Sequence, residues 1–136
     1  MTVHDFPTGS YEQQNKFIRE LIGNNCCTYE HVLPIRLYTV LHMKIPPAIL
    51  PGKCVSMLID EDGRLKENVP NQIGSYLYET DRHGCPIMGN VLFVSEKWCN
   101  DGIEFCGIED SVFKMLETQL KRLILKFKKI KEELGL

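Results

Sequence analysis

The chain has 136 residues, 43% hydrophobic and 25% charged, with 16 Lys and Arg against 18 Asp and Glu and a formal net charge of −2. This composition predicts one soluble domain with a core of its own and excludes low-complexity or disorder-type sequence. Its longest apolar runs, such as 91–94 and 123–125, fall far short of the ~20 residues that cross a bilayer. The amino-terminal ten residues carry an acid and no apolar segment, unlike a secretory signal, so a cytoplasmic location without membrane contact is expected.

In chain order, Phe17, Ile18 and Leu21 predict a first helix over 10–21, with Ser10 as its N-cap and Gly23-Asn24-Asn25 as its stop. Ile35, Leu37 and Thr39 alternate with Arg36, Tyr38 and Val40, which reads as a strand entered at Pro34. Pro46, Pro47 and Pro51 predict an extended loop over 45–52. A strand over 54–59 then meets an acidic turn, Asp60-Glu61-Asp62-Gly63, with a short returning strand at 64–66. Pro70 and Asn71 open a short helix over 72–79 that presents Ile73, Tyr76 and Leu77 to the core. A loop over 81–86 leads to a strand over 90–95, bounded by Gly89 and by the charges of Glu96 and Lys97. A further loop over 98–107 surrounds a short strand at 103–105.

The last element is the plainest. Phe113, Leu116, Leu120, Leu123, Phe127, Ile130 and Leu134 recur at alternating spacings of three and four, an a/d seam on a helix capped by Asp110 or Ser111 and stopped by Gly135. Ile124 and Leu125 widen the stripe at e and f positions, so two neighbours are expected. The fold class that follows is α+β. A small mixed or antiparallel sheet is flanked by short helices, with residues 1–110 as the body and 111–134 as a long amphipathic helix of the same domain.

The run 55–66 (Val-Ser-Met-Leu-Ile-Asp-Glu-Asp-Gly-Arg-Leu-Lys), then Pro70-Asn71, then 86–94 (Pro-Ile-Met-Gly-Asn-Val-Leu-Phe-Val), resembles a family of small domains encoded by phages, plasmids and other mobile elements. The shared pattern is a strand, an acidic-Gly turn, a Pro-Asn helix start and an Ile-x-Gly strand entry, and it covers residues 52–95. The resemblance implies an accessory protein of a mobile element that engages or inhibits a host factor, such as a defence component. It brings no catalytic residues with it.

Several constellations carry chemistry-bearing side chains. The acidic turn lacks the first and twelfth ligands of a calcium loop, since Leu58 and Val69 stand there. His83, Cys85, Cys99 and Cys106 carry zinc-type ligands without paired CxxC knuckles, so no metal and no cofactor is expected. Cys85 with His83 and Asp81 supplies nucleophile, base and acid types within five positions, too close for triad geometry, and His31 or His42 could pair with a cysteine from elsewhere. Phosphate loops, nucleophile elbows and dinucleotide fingerprints are lacking, which disfavours an enzyme. With no export signal, the six cysteines are expected as reduced thiols.

Charge is polarised. Residues 1–113 hold 9 Lys and Arg against 15 Asp and Glu, giving −6, whereas 114–136 hold 7 against 3, giving +4. Lys121, Arg122, Lys126, Lys128, Lys129 and Lys131 form a basic face that could follow phosphates, but an acidic body favours a solvated coat or docking on a sister subunit. Arg36 or Arg82, with Tyr38, Trp98 and the other tyrosines, could bind a small anionic, nucleotide-like ligand or a partner. The expectation is therefore a non-enzymatic binding protein, homo-oligomeric through the seam and directed at a host protein. A nucleotide-like ligand sponge and a nucleic-acid regulator are the alternatives.

Overall fold

The computed structural model describes residues 1–44, 48–66 and 69–135. Helix α1 (Tyr11–Ile22) starts where expected because Ser10 and Gln13 form a reciprocal capping box. Ser10 Oγ accepts from the Gln13 amide at 3.2 Å and Gln13 Oε1 accepts from the Ser10 amide at 2.8 Å. Gly23 ends the helix at φ 76°, and Asn24 and Asn25 continue in the left-handed region.

Strand β1 (Tyr29–Val32) follows, a segment whose Glu30 and His31 mask its strand character in the sequence. Residues Ile35–Val40 then form a helix, α2, and not the strand that their alternation suggested. Helical geometry buries the adjacent Leu37 and Tyr38 together and lets the Tyr38 hydroxyl donate to the Val55 carbonyl at 3.1 Å. Tertiary contact therefore overrides a two-residue period that spans only six positions. Of the proline loop, residues 45–47 lie outside the described residues. At its end, Gly52 at φ 75° accepts from the Glu109 amide at 2.7 Å, and a Cβ there would approach that same nitrogen to 3.1 Å.

Strand β2 (Ser56–Asp60) is buried along its whole length. The acidic turn after it closes with the Gly63 amide on the Asp60 carbonyl at 3.1 Å, while Asp60 Oδ1 accepts from the Asp62 amide at 2.9 Å. Residues 64–66 stay in the turn, correcting the expected return strand. Lys66 folds back to place Nζ 2.8 Å from Asp60 Oδ2 and within reach of the Asn24 and Asn25 carbonyls. Helix α3 (Gln72–Leu77) is capped by Asn71, whose Oδ1 accepts from the Gly74 amide at 2.8 Å. Part of the expected 81–86 loop is a helical turn, α4 (Thr80–His83), between Glu79 and Gly84, both at positive φ.

Strand β3 (Leu92–Cys99) runs past the charges taken to end it and turns back into β4 (Gly102–Cys106). The sheet is antiparallel throughout in the order β1-β2-β3-β4. This bears out the α+β expectation and its antiparallel form. Register places Val32 opposite Met57 and Phe93 opposite Met57 on one face, with His31 opposite Leu58 and Leu58 opposite Leu92 on the other. The first face packs Met57 and Ile59 against α2, α3 and the terminal helix, and the second packs Leu58 and Val94 against Ile18 and Ile22 of α1. Both faces are covered at the centre of β2, which is why Met57, Leu58 and Ile59 are apolar without alternation.

Helix α5 (Asp110–Glu133) has Glu109 at its N-cap position, one residue before Asp110 and two before Ser111, the expected caps. Val112, Leu116 and Leu120 are buried among Leu77, Ile87 and Val55. Burial of each contributes ~1.5–3 kcal/mol to holding the helix on the body. Gly135 follows at φ 71° and its amide bonds the Glu132 carbonyl at 3.1 Å. No helix among the described residues is long and apolar enough to cross a membrane.

Candidate functional site

The seam on α5 divides into two parts. Leu116 and Leu120 face the chain's own core, so they are corrected from association residues to intramolecular ones. Phe113 and Leu123 are half-buried, and Phe127 meets Tyr76 of α3 edge-on with centroids 5.8 Å apart. After Phe127 the body ends, and every described residue of the helix is exposed. Ile130 and Leu134 continue the seam into solvent at 40% and 67% exposure, flanked by Leu125 at 67%. Lys121, Arg122, Lys126, Lys128 and Lys129 are all exposed around this segment, and Lys121 reaches Glu117 at 3.5 Å. This apolar stripe outlasts its support and is flanked by cations and by Glu132 and Glu133, an exposed apolar surface on the helix.

The other expected residues are dispersed. Arg36 is a strut. Nη1 donates to the Tyr76 carbonyl at 2.9 Å, Nη2 pairs with Asp81 Oδ2 at 3.0 Å, and Cζ lies 4.3 Å from the Tyr76 ring centroid. The hydrogen bond from Arg36 holds the Asp81 carboxyl below the usual carboxylate range. Arg82 is exposed and pairs with Glu79 at 3.0 Å. Tyr38 is fully buried, and Trp98 stands exposed near the β3–β4 turn. These four do not converge, which corrects their grouping as one anion site. The guanidinium of Arg36 already serves Asp81.

The Cys85 and zinc alternatives are corrected as well. The Cys85 amide donates to His83 Nδ1 at 3.2 Å, and His83 Nε2 lies 2.9 Å from the Tyr78 carbonyl. Both ring nitrogens are thus engaged by backbone, so His83 has no lone pair to activate the Cys85 thiol. Cys99 and Cys106 belong to the β3–β4 hairpin, and no group of three His, Cys, Asp or Glu among the described residues could hold a metal. All six cysteines are free.

One cluster was not foreseen. On the α1 side of the sheet, beyond the part that α1 covers, Glu96 of β3 is buried and its Oε1 accepts from Ser56 Oγ of β2 at 2.8 Å. The same oxygen lies 3.1 Å from His31 Nε2 of β1. These side chains line a cavity of about 390 Å³, together with Leu33, Ile49, Cys54, Ile103 and Phe105. The charge of Glu96 suggests a strand end, whereas period-two continuation through Val94, Glu96 and Trp98 is the sequence signal that places it on this face.

No family model, curated protein or solved structure matches this chain.

Proposed function

We propose that this is a non-enzymatic binding protein that pairs with a second copy of itself through the distal half of α5 and, in that state, engages a host protein. The overhang carries the reading. Leu123 and Phe127 each keep one side open, and Ile130 and Leu134 extend the same stripe past the body.

Charge selects the second copy and its orientation. With Leu123 and Ile130 at d and Phe127 and Leu134 at a, Lys126 is a g position and Lys131 an e position. A parallel pair would set Lys126 beside the partner's Lys131, a like-charge contact. An antiparallel pair using the half-buried Leu123 and Phe127 with the exposed Ile130 and Leu134 stacks Leu123 on the partner's Leu134 and Phe127 on the partner's Ile130. It also sets Lys126 beside the partner's Glu133, twice by symmetry. Antiparallel pairing is the arrangement that charge and exposure both favour. Its overlap of about three helical turns makes a small interface, and the dimer depends on concentration.

The mobile-element setting and the host target rest on the resemblance of residues 52–95, and the six free thiols suit a reducing cytoplasm. The exposed cations on α5 favour a second reading, a nucleic-acid-binding regulator. That reading requires an affinity that falls steeply with salt.

A charge exchange tests the pairing. Lys126→Glu and Glu133→Lys should each weaken the dimer several-fold in analytical ultracentrifugation, and the double exchange should restore it. A double variant as weak as either single variant rejects the antiparallel pair.

A further inference from the structure

We infer that the cavity on the α1 side of the sheet binds a small organic cation, an ammonium group borne on an apolar chain. Its floor is built by strand register. Alternation along β1, β2, β3 and β4 brings His31, Ser56, Glu96 and Phe105 to one face, with Glu96 directly opposite Phe105. At about 390 Å³ the space falls in the range of small-ligand pockets, roughly 300–1,000 Å³.

Electrostatics sets the ligand's sign. Among the lining residues Glu96 is the sole acid; no Lys or Arg joins it, and its ion-pair partner, His31 at 3.1 Å, is positive only when protonated. Glu96 as a residue is 6% exposed, and the walls beside it, Ile49 and Ile103, are apolar. A buried carboxylate in such surroundings costs stability that an apolar side chain would not. Ser56 and His31 offset part of that cost, His31 as a cation only when protonated, and a bound positive group would complete the pairing with His31 neutral.

Preorganisation supports the same assignment. Ser56 and His31 both address Oε1, which fixes the carboxyl plane before any ligand arrives. Phe105 stacks edge-on with His31, centroids 5.7 Å apart, and its ring adds a face to which a cation is attracted. The entrance lies where His31 and Ile103 reach solvent. Trp98, two residues from Glu96 on the same face and roughly 7 Å along the strand, is the chain's single tryptophan and a built-in reporter.

The test titrates the full chain with hexylammonium, 1-hexanol and hexanoate, three probes of equal length and different charge, read by Trp98 fluorescence and calorimetry. Hexylammonium should bind at least tenfold more tightly than hexanol, and hexanoate should not bind. Glu96→Gln should bring hexylammonium down to the level of hexanol while leaving hexanol binding and the melting temperature in place. Should Glu96→Gln fail to fold, Ile103→Arg, at a half-exposed position, should abolish hexylammonium binding in a folded chain. Equal binding of the alcohol and the ammonium, preference for hexanoate, no binding of any probe, or ammonium binding that survives Ile103→Arg would each overturn the assignment.

Discussion

Phe127 and Tyr76 meet edge-on with ring centroids 5.8 Å apart, and this is where α5 leaves the body. Tyr76 is also in contact with Arg36, so a chain of contacts runs from Asp81 through Arg36 and Tyr76 to Phe127. Tyr76→Ala removes an aromatic pair and a cation–π contact and should destabilise the fold by about 1–2 kcal/mol. Hydrogen exchange should show the amides of 123–133 losing protection while those of β2 keep theirs. Unchanged protection along α5 would show that Tyr76 does not support the helix.

The Arg36 end of this chain has a defined acid response. The Asp81 carboxyl is depressed, first by its hydrogen bond from Arg36, so its folded value lies below the unfolded value of about 3.9. Its contribution to stability is therefore present above that pH and is lost as pH falls through the folded value. In an NMR titration Asp81 should titrate below the ordinary range, and in Arg36→Ala it should return to it. An ordinary midpoint in the native chain would remove the strut.

Tyr38 governs the opposite end of the pH scale. Burial, and then the nearby Glu96, push its phenol strongly upward. The folded chain thus keeps a proton that the unfolded chain loses above about pH 10, and stability should fall as pH rises past that point. Tyr38→Phe should flatten this alkaline slope, without abolishing it, because Tyr29 and Cys26 are raised in the same sense by their own burial. At neutral pH the variant should cost about 1 kcal/mol, since the Val55 carbonyl loses its donor. Chemical denaturation across pH 7–11 measures both effects, and an unaltered slope would contradict them.

What the sequence discloses depends on whether the cause is local. The Ser10 capping box, the Asn71 cap and the long period of α5 are written within a few neighbouring residues, and those elements lie where the pattern put them. Residues Ile35–Val40 are too few for periodicity to separate helix from strand, and the decision falls to the distant Val55 carbonyl. Strand β3 is longer than its apolar run because β4 supplies Glu104 to pair with Lys97 at 3.2 Å, a partner that position 97 alone cannot reveal. The seam on α5 announces a covered stripe but not what covers it, and half of the cover is the chain's own core. Glu96 was hidden for a related reason. Its partners, Ser56 and His31, lie 40 and 65 positions away along the chain.

The central claim is that the distal seam finds its complement in a second copy. Sedimentation equilibrium over a range of concentrations tests it directly, using the native chain and the double variant Ile130→Asp, Leu134→Asp, whose two sites lie clear of the body. The account predicts that the native mass rises from 15.7 kDa toward twice that value with concentration, while the variant stays at the monomer mass with an unchanged melting curve. A native chain that remains at 15.7 kDa at every concentration would contradict it.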